Sequence, residues 1–386
     1  MSDYQPGLEG VPATKSGISY LDGKQGILTY RGYRLVDLAE NSSFEETAYL
    51  LLDGELPTAG ELAEFDALLR AHRVVKYNVR DIMKLLPVTG HPMEMLQTAV
   101  ASLGMFYPSN VPVQIREPGD ESDRYVHGQS LRILARMATL VAMWQQMRLG
   151  NDPVRARTDL SYAANFLYMF FNGVEPDPLL VRIMDTSFVL HAEHTINAST
   201  FSAMVTGSTL ATPSYVIAAA IGTLAGPLHG GANERVIQML EDIGRPENAA
   251  EWLDSKLAAK EVIWGMGHRE YKVKDPRAVL LQKMMYELAE SRGSLSPMFE
   301  TALALEEACE KRLAPKGVFP NIDYYSGILY REMGIPTDQF TPIFAIARTA
   351  GWLAHWREQV SENRIFRPTQ VYAGSDPRDY TPIGDR

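Results

Sequence analysis

Apolar residues recur every three or four positions along most of the chain, which is the spacing of helices with one buried face. This pattern predicts helices in the segments MEMLQTAVASLGMF, SLRILARMATLVAMWQQMRLG, LSYAANFLYMFF and LLVRIMDTSFVLHAEH. Several of these segments are apolar nearly all round, as are helices at the centre of a large all-α protein. The sequence therefore predicts a mainly α-helical fold.

A different pattern occupies residues 18–33, where apolar and polar residues alternate around Asp22-Gly23 and Gly26. Alternation puts successive side chains on opposite faces of a strand, and glycine favours the tight turn between two strands. We therefore expect one short β-hairpin near the N-terminus.

Two pairs, Ser43 with Glu46 and Thr58 with Glu61, have the spacing of a capping box. In that motif each partner satisfies a free backbone N–H of the first helical turn, so helices are predicted to begin after Ser43 and after Thr58. Residues 110–123 (NVPVQIREPGDESD) are polar and contain proline and glycine, which predicts an exposed loop.

The character of the helices changes near residues 226–230. There the alanine-rich segment YVIAAAIGTLA gives way to a glycine turn and then to more charged helices, until TPIFAIARTAGWLAHWREQV restores a core-like pattern. This change predicts a smaller domain inserted into a larger one. Residues 1–228 would form the first part of the large domain, residues 229–334 the small domain and residues 335–386 the rest of the large domain.

The composition excludes several classes of protein. The 386 residues are 46% hydrophobic and 22% charged, as in ordinary globular domains. They contain no run of eighteen apolar residues, and the N-terminus lacks a secretory pattern, so we expect a cytoplasmic protein. A net charge of -10 argues against general nucleic-acid binding. The single cysteine, Cys309, excludes an internal disulfide and is expected to be buried.

Four separated stretches set an imidazole, a carboxylate or a guanidinium among glycines, prolines and small residues. They are HAEHTINAST (191–200), GPLHGGAN (226–233), GMGHREYKVKDPR (265–277) and PNIDYYSG (320–327). Glycine allows the backbone to approach a ligand closely, and proline fixes where the preceding element stops. The four stretches together predict one site for a small polyanion, with groups suited to acid–base chemistry.

Two of the histidines stand beside glycines. His229 is predicted to lie just before the helix ANERVIQML, whose N-terminal amides lower the proton affinity of an imidazole. A neutral His229 could donate a hydrogen bond to a carbonyl oxygen that becomes an enolate, although it could also merely cap the helix. His268 is followed by Arg269, Lys272, Lys274 and Arg277, which suit phosphates or a dicarboxylate, but which also fit a solvated basic face.

The remaining two stretches leave alternatives open. His191 and His194 are three positions apart on a predicted helix, with Glu193 between them. A metal pair is one interpretation, but HExxH and an obvious third ligand are missing, so we favour an anion contact by one histidine and a structural hydrogen bond by the other. Asp323 could cap the helix that follows it or could act as a base, and its position alone does not decide between these roles.

In this order and with these spacings, the four motifs resemble those of the citrate synthase family, and the likeness covers nearly the whole chain. YLDGKQGILTYRGYRLVDLA and FEETAYLLLDGELPT look like the opening of that family, and HAEHTINASTF is similar to its short bacterial, cyanobacterial-like branch. Met266 and Glu270 depart from the usual pattern. Both flank His268, so they concern the shape of the pocket more than its reacting groups.

The resemblance implies a citrate synthase-like fold, with a large helical domain, a smaller inserted helical domain and the N-terminal hairpin. It also implies a homodimer whose active sites use both subunits, and closure of the small domain over substrate. By matching motifs, His229, His268 and Asp323 would be catalytic. His194, Arg277 and Arg348 would bind oxaloacetate, and Arg367 would reach the neighbouring subunit's site. The candidates for coenzyme A binding are Val262, Ile263, Gly265, Met266, Gly267, Lys272 and Lys274.

The implied reaction joins acetyl-CoA and oxaloacetate to give citrate and free CoA, the entry to the tricarboxylic acid cycle. Acetyl-CoA is then a substrate, and no cofactor or metal is expected. One alternative is 2-methylcitrate synthase, which uses propionyl-CoA, because a single methyl group separates the two thioesters and changes binding by only about 1–3 kcal/mol. Another is a non-catalytic scaffold that binds metabolites. The presence of Asp323 argues against it, since a binding module needs no base.

Overall fold

An antiparallel sheet of three short strands opens the fold. The computed structural model describes residues 4–386, and its strands are β1 (Ser19–Asp22), β2 (Ile27–Tyr30) and β3 (Tyr33–Arg34), in that order across the sheet. Ser19 pairs with Tyr30 and Asp22 with Ile27, so residues 23–26 form the turn. The predicted hairpin is confirmed, and the short β3 extends it.

Sixteen α-helices are found in the described part of the chain. They are α1 (Leu35–Asn41), α2 (Phe44–Asp53), α3 (Ala59–His72), α4 (Tyr77–Leu85), α5 (Pro92–Phe106), α6 (Glu121–Arg148), α7 (Tyr162–Phe170), α8 (Pro178–His191), α9 (Ala198–Ser208), α10 (Pro213–Leu224), α11 (Ala232–Ile243), α12 (Ala249–Ala258), α13 (Pro276–Arg292), α14 (Pro297–Leu313), α15 (Ile322–Glu332) and α16 (Phe340–Ser361). Helix accounts for 61% of the residues and strand for 3%, which confirms the mainly α prediction.

The predicted helix starts differ in how completely they are capped. At Thr58 both halves of the capping box form, because its side chain accepts from the Glu61 N–H and the Glu61 side chain accepts from the Thr58 N–H. At Ser43 the side chain accepts from the Glu46 N–H, and the reciprocal bond does not form.

The prediction of a loop over residues 110–123 is wrong at its C-terminal end. Asp120 accepts the backbone N–H of Asp123 at 2.7 Å and caps helix α6, which therefore begins at Glu121. The rest of the segment has no helix or strand, but Val113 and Ile115 are buried, and the Ile115 N–H donates to the Val360 carbonyl. Two buried apolar side chains and a backbone hydrogen bond to the end of α16 thus hold the segment in place.

Helix α16 lies at the centre of the large helical group. Almost every residue from Phe340 to Trp356 is buried, because α2, α6, α8, α9 and α10 pack around it. A helix that is apolar nearly all round requires such surroundings. Arg348, which is 1% exposed, is thereby placed in the interior with its charge.

Helices α11 to α15 pack mainly on one another, through the pairs α11 with α15, α13 with α15 and α12 with α14. Gly327 allows α15 to approach α11 closely, since a Cβ there would lie 2.8 Å from the Asn233 carbonyl oxygen. Cys309 is buried in α14, as predicted. This group of helices falls within the segment 229–334 that we assign to the small domain, and the division into domains remains a prediction.

No helix among residues 4–386 is long and apolar enough to span a membrane.

Candidate active site

Helix α8 ends at His191, so His191 and His194 do not share a helical face, and that prediction is wrong. His191 is fully buried, and its Nδ1 donates to the Ser187 carbonyl at 2.7 Å. Burial lowers the pKa of its imidazole to about 3. The residue is therefore neutral and belongs to the interior, where its own carbonyl accepts from Nε of Arg348 at 2.8 Å.

His194 lies in the loop of residues 192–197 that follows the helix. Its Nε2 is 3.3 Å from the Tyr271 hydroxyl, and its ring centre is 5.1 Å from that of His268. Burial, followed by the positive charge of Arg277, lowers the pKa of His194 well below its ordinary value. The structure thus brings together two stretches, 191–200 and 265–277, that are distant in sequence.

His229 lies in the turn before α11, whose N-cap is Gly231. Its Nε2 is 2.8 Å from Oγ of Ser199 and accepts the Ser199 backbone N–H at 3.3 Å. Because Nε2 accepts from an amide, the proton of the neutral ring is assigned to Nδ1. Burial, and then Arg348, lowers the pKa of His229 to about 4. His229 is therefore a neutral imidazole with a free Nδ1–H donor, and its side chain does not cap the helix.

His268 has the opposite tautomer. Its Nδ1 accepts the backbone N–H groups of Glu270 at 3.0 Å and Tyr271 at 3.4 Å, which assigns the ring proton to Nε2. Burial, and then Arg277, lowers the pKa of the ring to about 4. Each of the two imidazoles thus presents one N–H, and backbone amides fix which nitrogen carries it.

Asp323 occupies the first turn of α15, but it does not cap that helix. The cap is Asn321, whose Oδ1 accepts the Asp323 N–H at 2.9 Å, so the helix-cap interpretation of Asp323 is wrong. Oδ1 of Asp323 is buried and has no hydrogen-bond partner. Burial raises the pKa of this carboxyl to about 7, although Arg277 and Arg348 oppose the change. A carboxylate freed of partners in this way is a stronger base than an ordinary aspartate.

Backbone hydrogen bonds fasten the loop of His268 to the start of α15. The Gly267 N–H donates to the Phe319 carbonyl at 2.8 Å, and the Asn321 side chain donates to the Gly267 carbonyl at 2.8 Å. Gly265 has a φ of +76°, and a Cβ there would lie 2.9 Å from Cα of Tyr324. Only glycine fits this close approach without strain, which explains the glycines that flank Met266.

Two buried arginines complete the group. Arg277 is 2% exposed and makes a two-point contact with Asp275, with Nε at 3.0 Å and Nη2 at 2.7 Å from its oxygens. Arg348 has a backbone carbonyl and the face of Phe344 as neighbours and, among residues 4–386, no carboxylate as an ion-pair partner. Burial lowers the pKa of Arg348 to about 10, so it stays charged at neutral pH. A buried, unpaired cation favours an anionic ligand.

The four basic residues after His268 do not form one cluster. Arg277 is turned inward, and Lys274 contacts Glu306 and donates to Gln282 at 2.8 Å. Arg269 and Lys272 are exposed, and the Lys272 ammonium donates to the Arg269 carbonyl. The interpretation as a solvated face thus fits two of the four.

The other candidates for coenzyme A binding lie on the segment that leads to His268. Val262 is 65% exposed and Ile263 is 7% exposed. Gly265 and Gly267 use their backbone groups to bind residues 319–321, and Met266 forms a β-bridge with Pro320. Val262 is therefore the accessible member of this segment.

Arg367 does not join the site of its own chain. It is exposed, and its guanidinium donates to the Pro368 carbonyl at 3.1 Å. The segment before it is fixed to helix α9, because Phe366 packs edge-to-face against Phe201 with ring centres 5.6 Å apart and the Asn363 side chain donates to the Ser208 carbonyl. The structure thus leaves Arg367 at the surface.

Sequence reasoning missed residues that orient the functional groups. Ser199 holds His229 and itself accepts from the Trp352 indole at 3.1 Å, Asp275 orients Arg277, and Tyr271 contacts His194. The sequence could have identified Asp275, since the pattern Asp-Pro-Arg predicts an N-cap directly before a helix. Ser199 and Tyr271 had none, because their partners are distant along the chain.

Across residues 4–386, no group of three or more histidine, cysteine, aspartate or glutamate side chains is arranged to hold a metal ion.

Comparisons with known proteins agree on one family. The family model described as citrate synthase, C-terminal domain, matches residues 7–369. The chain is 58% identical to a citrate synthase of Acidithiobacillus ferridurans over 386 residues, covering 100% of this chain and 99% of that protein. It is 51% identical to a citrate synthase of Synechocystis sp. over 383 residues, covering 99% and 94%.

Solved structures show the same likeness. The citrate synthase from Thermotoga maritima superposes with a TM-score of 0.88 at 38% identity, covering 99% of each chain. The ternary complex of carboxymethyl coenzyme A and oxaloacetate with citrate synthase from Thermoplasma acidophilum gives a TM-score of 0.92 at 31% identity, again covering 99% of each chain.

Proposed function

We infer the function of this chain from one premise: it belongs to the citrate synthase family. It condenses acetyl-CoA with oxaloacetate and hydrolyses the resulting citryl-CoA to citrate and free CoA. One observation carries this assignment beyond family membership. Asp323, a buried carboxylate without a hydrogen-bond partner, is in the field of two buried arginines, and two neutral imidazoles with fixed N–H donors complete the set. A binding module would need the arginines and not the base.

Oxaloacetate is the anion that Arg277, Arg348 and His194 bind. A guanidinium meets a carboxylate with two parallel hydrogen bonds, a geometry that a lysine cannot match. Arg348 makes no direct ion pair with a carboxylate among residues 4–386, so a substrate carboxylate could contact its guanidinium. The oxaloacetate bound in the Thermoplasma acidophilum enzyme supports this assignment.

The first chemical step removes a proton from the methyl group of acetyl-CoA. Asp323 takes the proton, and the thioester oxygen gains negative charge as the enolate forms. Nδ1–H of His229 donates a hydrogen bond to that oxygen. Because the ring of His229 stays neutral, it stabilises the developing charge without first having to lose a proton.

The enolate carbon then attacks the ketone carbon of oxaloacetate. The new carbon–carbon bond forms as the ketone π bond breaks, and the negative charge moves to the former ketone oxygen. Nε2–H of His268 donates a hydrogen bond to that oxygen, and the proton that Asp323 removed from the methyl group neutralises the alkoxide, so that Asp323 is again a carboxylate and His268 remains neutral. Water finally adds to the thioester carbonyl of citryl-CoA, and the CoA thiol leaves.

Coenzyme A binds at the solvent-accessible rim of the site, near His268. Val262 and Lys272 are exposed there, and Lys274 would have to exchange its contact with Glu306 for a phosphate. Ile263, Gly265, Met266 and Gly267 shape the backbone between the rim and His268. We assign these residues to the adenine and phosphate end of the ligand.

The active unit is a homodimer in the cytoplasm, in which residues 229–334 close over the substrate. Arg367 lies on the surface beside α9, and in the dimer it contributes a guanidinium to the oxaloacetate site of the partner subunit.

Release of free thiol from acetyl-CoA in the presence of oxaloacetate tests the function. We expect turnover that requires both substrates and persists after treatment with a chelator. Propionyl-CoA should give a kcat/KM at least about tenfold lower, since accommodating one extra methyl group costs about 1–3 kcal/mol. Absence of thiol release from a folded protein would refute the assignment, and a preference for propionyl-CoA would make the protein a 2-methylcitrate synthase.

A further inference from the structure

Glu193, the residue directly before His194, is completely buried and contacts a different part of the protein from its neighbour. Its Oε1 accepts from Nε2 of His355 at 3.0 Å and from Oγ of Ser19 at 2.9 Å. His355 lies on α16 and Ser19 on β1. One carboxylate thus ties the loop of residues 192–197 to two elements that are remote in sequence.

Helix α16 holds the start of this loop at three points, one turn apart. Arg348 donates to the His191 carbonyl, the Gly351 N–H donates to the Ala192 carbonyl at 3.1 Å, and His355 donates to the Glu193 side chain. Residues 348, 351 and 355 share one helical face, so a shift of the loop would disturb all three contacts.

Glu193 packs closely against helix α16 and is also held through its backbone. A Cβ on Gly351 would lie 2.2 Å from Oε2 of Glu193, and the Tyr30 hydroxyl donates to the Glu193 carbonyl at 2.8 Å. The side chain and backbone of Glu193 are therefore both fixed, and His194 is attached directly to this fixed residue.

The loop also stores backbone strain close to the site. Thr195 has a φ of +51°, the left-handed region that a β-branched residue rarely adopts. Its N–H donates to Oγ of Ser19 at 3.3 Å, and the same oxygen carries the proton given to Glu193. Strain of this kind persists only where the surroundings over-determine the conformation, and Ser19 and Glu193 supply the surroundings here.

The negative charge of Glu193 does not serve to attract the substrate, which is itself an anion. Burial alone would raise the pKa of Glu193, but His355, Arg348 and Ser19 outweigh that effect and lower it, so the group remains ionised. A buried negative charge close to Arg348 repels a dianionic ligand. The residue therefore contributes to binding through the geometry that it imposes.

We propose that Ser19, Glu193 and His355 form a positioning network for the oxaloacetate site, which fixes His194 relative to Arg348 by holding the loop of residues 192–197 against α16. The three residues do not touch the substrate. The inference rests on the proposed function, and it names the side chains that pre-organise the anion site.

The test measures oxaloacetate and acetyl-CoA separately. Glu193→Ala and His355→Ala should each raise the KM and the Kd for oxaloacetate about tenfold or more, the effect expected when a buried hydrogen bond to a charged group is lost. The KM for acetyl-CoA should change by less than about twofold, because the network does not reach that side. The double variant should be no worse than the poorer single variant, since both remove the same contact.

Conservative variants separate positioning from mere stability. Glu193→Gln keeps the oxygen that accepts from His355 and Ser19, so it should restore most of the oxaloacetate affinity. If Glu193→Ala does not fold, Ser19→Ala removes the hydrogen bond to Glu193 and the one from the Thr195 N–H but keeps the contact between Glu193 and His355, and it should raise the KM for oxaloacetate by about threefold. His127→Ala is the matched control, because it breaks another histidine–carboxylate pair, that with Asp53 at 3.3 Å, on the surface.

A folded Glu193→Ala protein with a lowered unfolding temperature and an unchanged oxaloacetate KM and Kd would show a purely structural role and overturn the proposal. Equal losses toward both substrates would overturn it as well. Calorimetric titration with oxaloacetate alone tests the positioning network separately from the proposed function, because it measures binding without turnover. If the wild-type protein releases no thiol, the proposed function fails, whereas the calorimetric comparison of the variants still decides whether the network positions the anion site.

Discussion

Asn321 caps helix α15 by accepting the backbone N–H of Asp323 at 2.9 Å, and this relationship leaves the side chain of Asp323 unused by the helix. An aspartate in the first turn would ordinarily satisfy a free amide itself. Because its neighbour does so, Oδ1 of Asp323 stays buried without a partner. The protein thereby keeps a carboxylate whose pKa burial raises to about 7.

Asp323→Asn should abolish most turnover without weakening oxaloacetate binding. The amide cannot accept the methyl proton, and loss of a general base typically costs about 10²–10⁴-fold in rate. Stopped assays of thiol release give kcat, and titration calorimetry gives the Kd for oxaloacetate. Asp242→Asn on the exposed face of α11 is the control and should match the wild type. A variant that retains more than about a tenth of the wild-type kcat would rule out Asp323 as the base.

The pH profile should show an acid limb set by Asp323. The base must be ionised, so kcat/KM should fall as the pH decreases below about 7. His229 and His268 stay neutral until about pH 4 and so do not produce this limb. Profiles between pH 5 and 9 in buffers of constant ionic strength provide the measurement. A flat profile down to pH 5 would contradict the raised pKa.

The same group should make stability depend on pH. A carboxyl whose pKa is higher in the folded than in the unfolded state binds more protons when the protein is folded. Its contribution to the free energy of unfolding is therefore fully present below the unfolded pKa of about 4, and it is lost as the pH rises through the folded pKa of about 7. Asp323→Asn should therefore be more stable than the wild type at pH 8, by at most about 4 kcal/mol, and the difference should vanish toward pH 4. Denaturant unfolding at both pH values measures it. A variant less stable than the wild type at pH 8 would contradict the burial argument.

Gly23→Ala should impair catalysis through the loop that carries His268. A Cβ at Gly23 would lie 2.0 Å from the Glu270 carbonyl oxygen, and the Gly23 carbonyl accepts the Lys272 N–H at 2.8 Å. The loop must therefore move, and a displacement of about 1 Å can cost roughly 10²-fold in rate. Gly60→Ala is a matched control, since nothing lies within 4 Å of its Cβ position. Equal kcat values for the two variants would show that the hairpin turn does not position the loop.

Mixing two inactive variants tests whether the active site is shared. Arg367→Ala chains and Asp323→Asn chains should each lose activity, whereas a heterodimer contains one site in which both residues are intact. Activity should return to about a quarter of the wild-type value if subunits mix at random, because half of the dimers carry one intact site of two. Native mass spectrometry confirms the exchange of subunits. Exchange without recovery would show that Arg367 serves its own chain.

Periodicity was enough to predict the class of the fold. Helices such as α16 are specified by their apolar positions, and the hairpin by its alternation and glycines, because these signals are local. Helix ends were less secure. Helix α8 stops at His191, and α6 begins at Glu121. The start of α6 is set by the Asp120 cap, and the pattern of apolar residues did not indicate it.

The sequence by itself predicted the principal titratable groups of the candidate site. Glycine and proline around His229, His268 and Asp323 are typical of places where a backbone can approach a ligand closely, and that signal is carried by neighbouring residues. The family resemblance is confirmed by relatives that match along the whole chain. The grouping of these residues in three dimensions was an expectation from motif order until the structure placed His194 against His268.

Only the tertiary structure decided what each group can do. The tautomers of His229 and His268 depend on amides of Ser199 and Glu270, and the raised pKa of Asp323 depends on burial and on the cap that Asn321 provides. The link from Glu193 to His355 joins residues 162 positions apart. Hydrogen-bond direction and desolvation arise from packing between remote segments, and no local pattern in the sequence specifies which remote segments will meet.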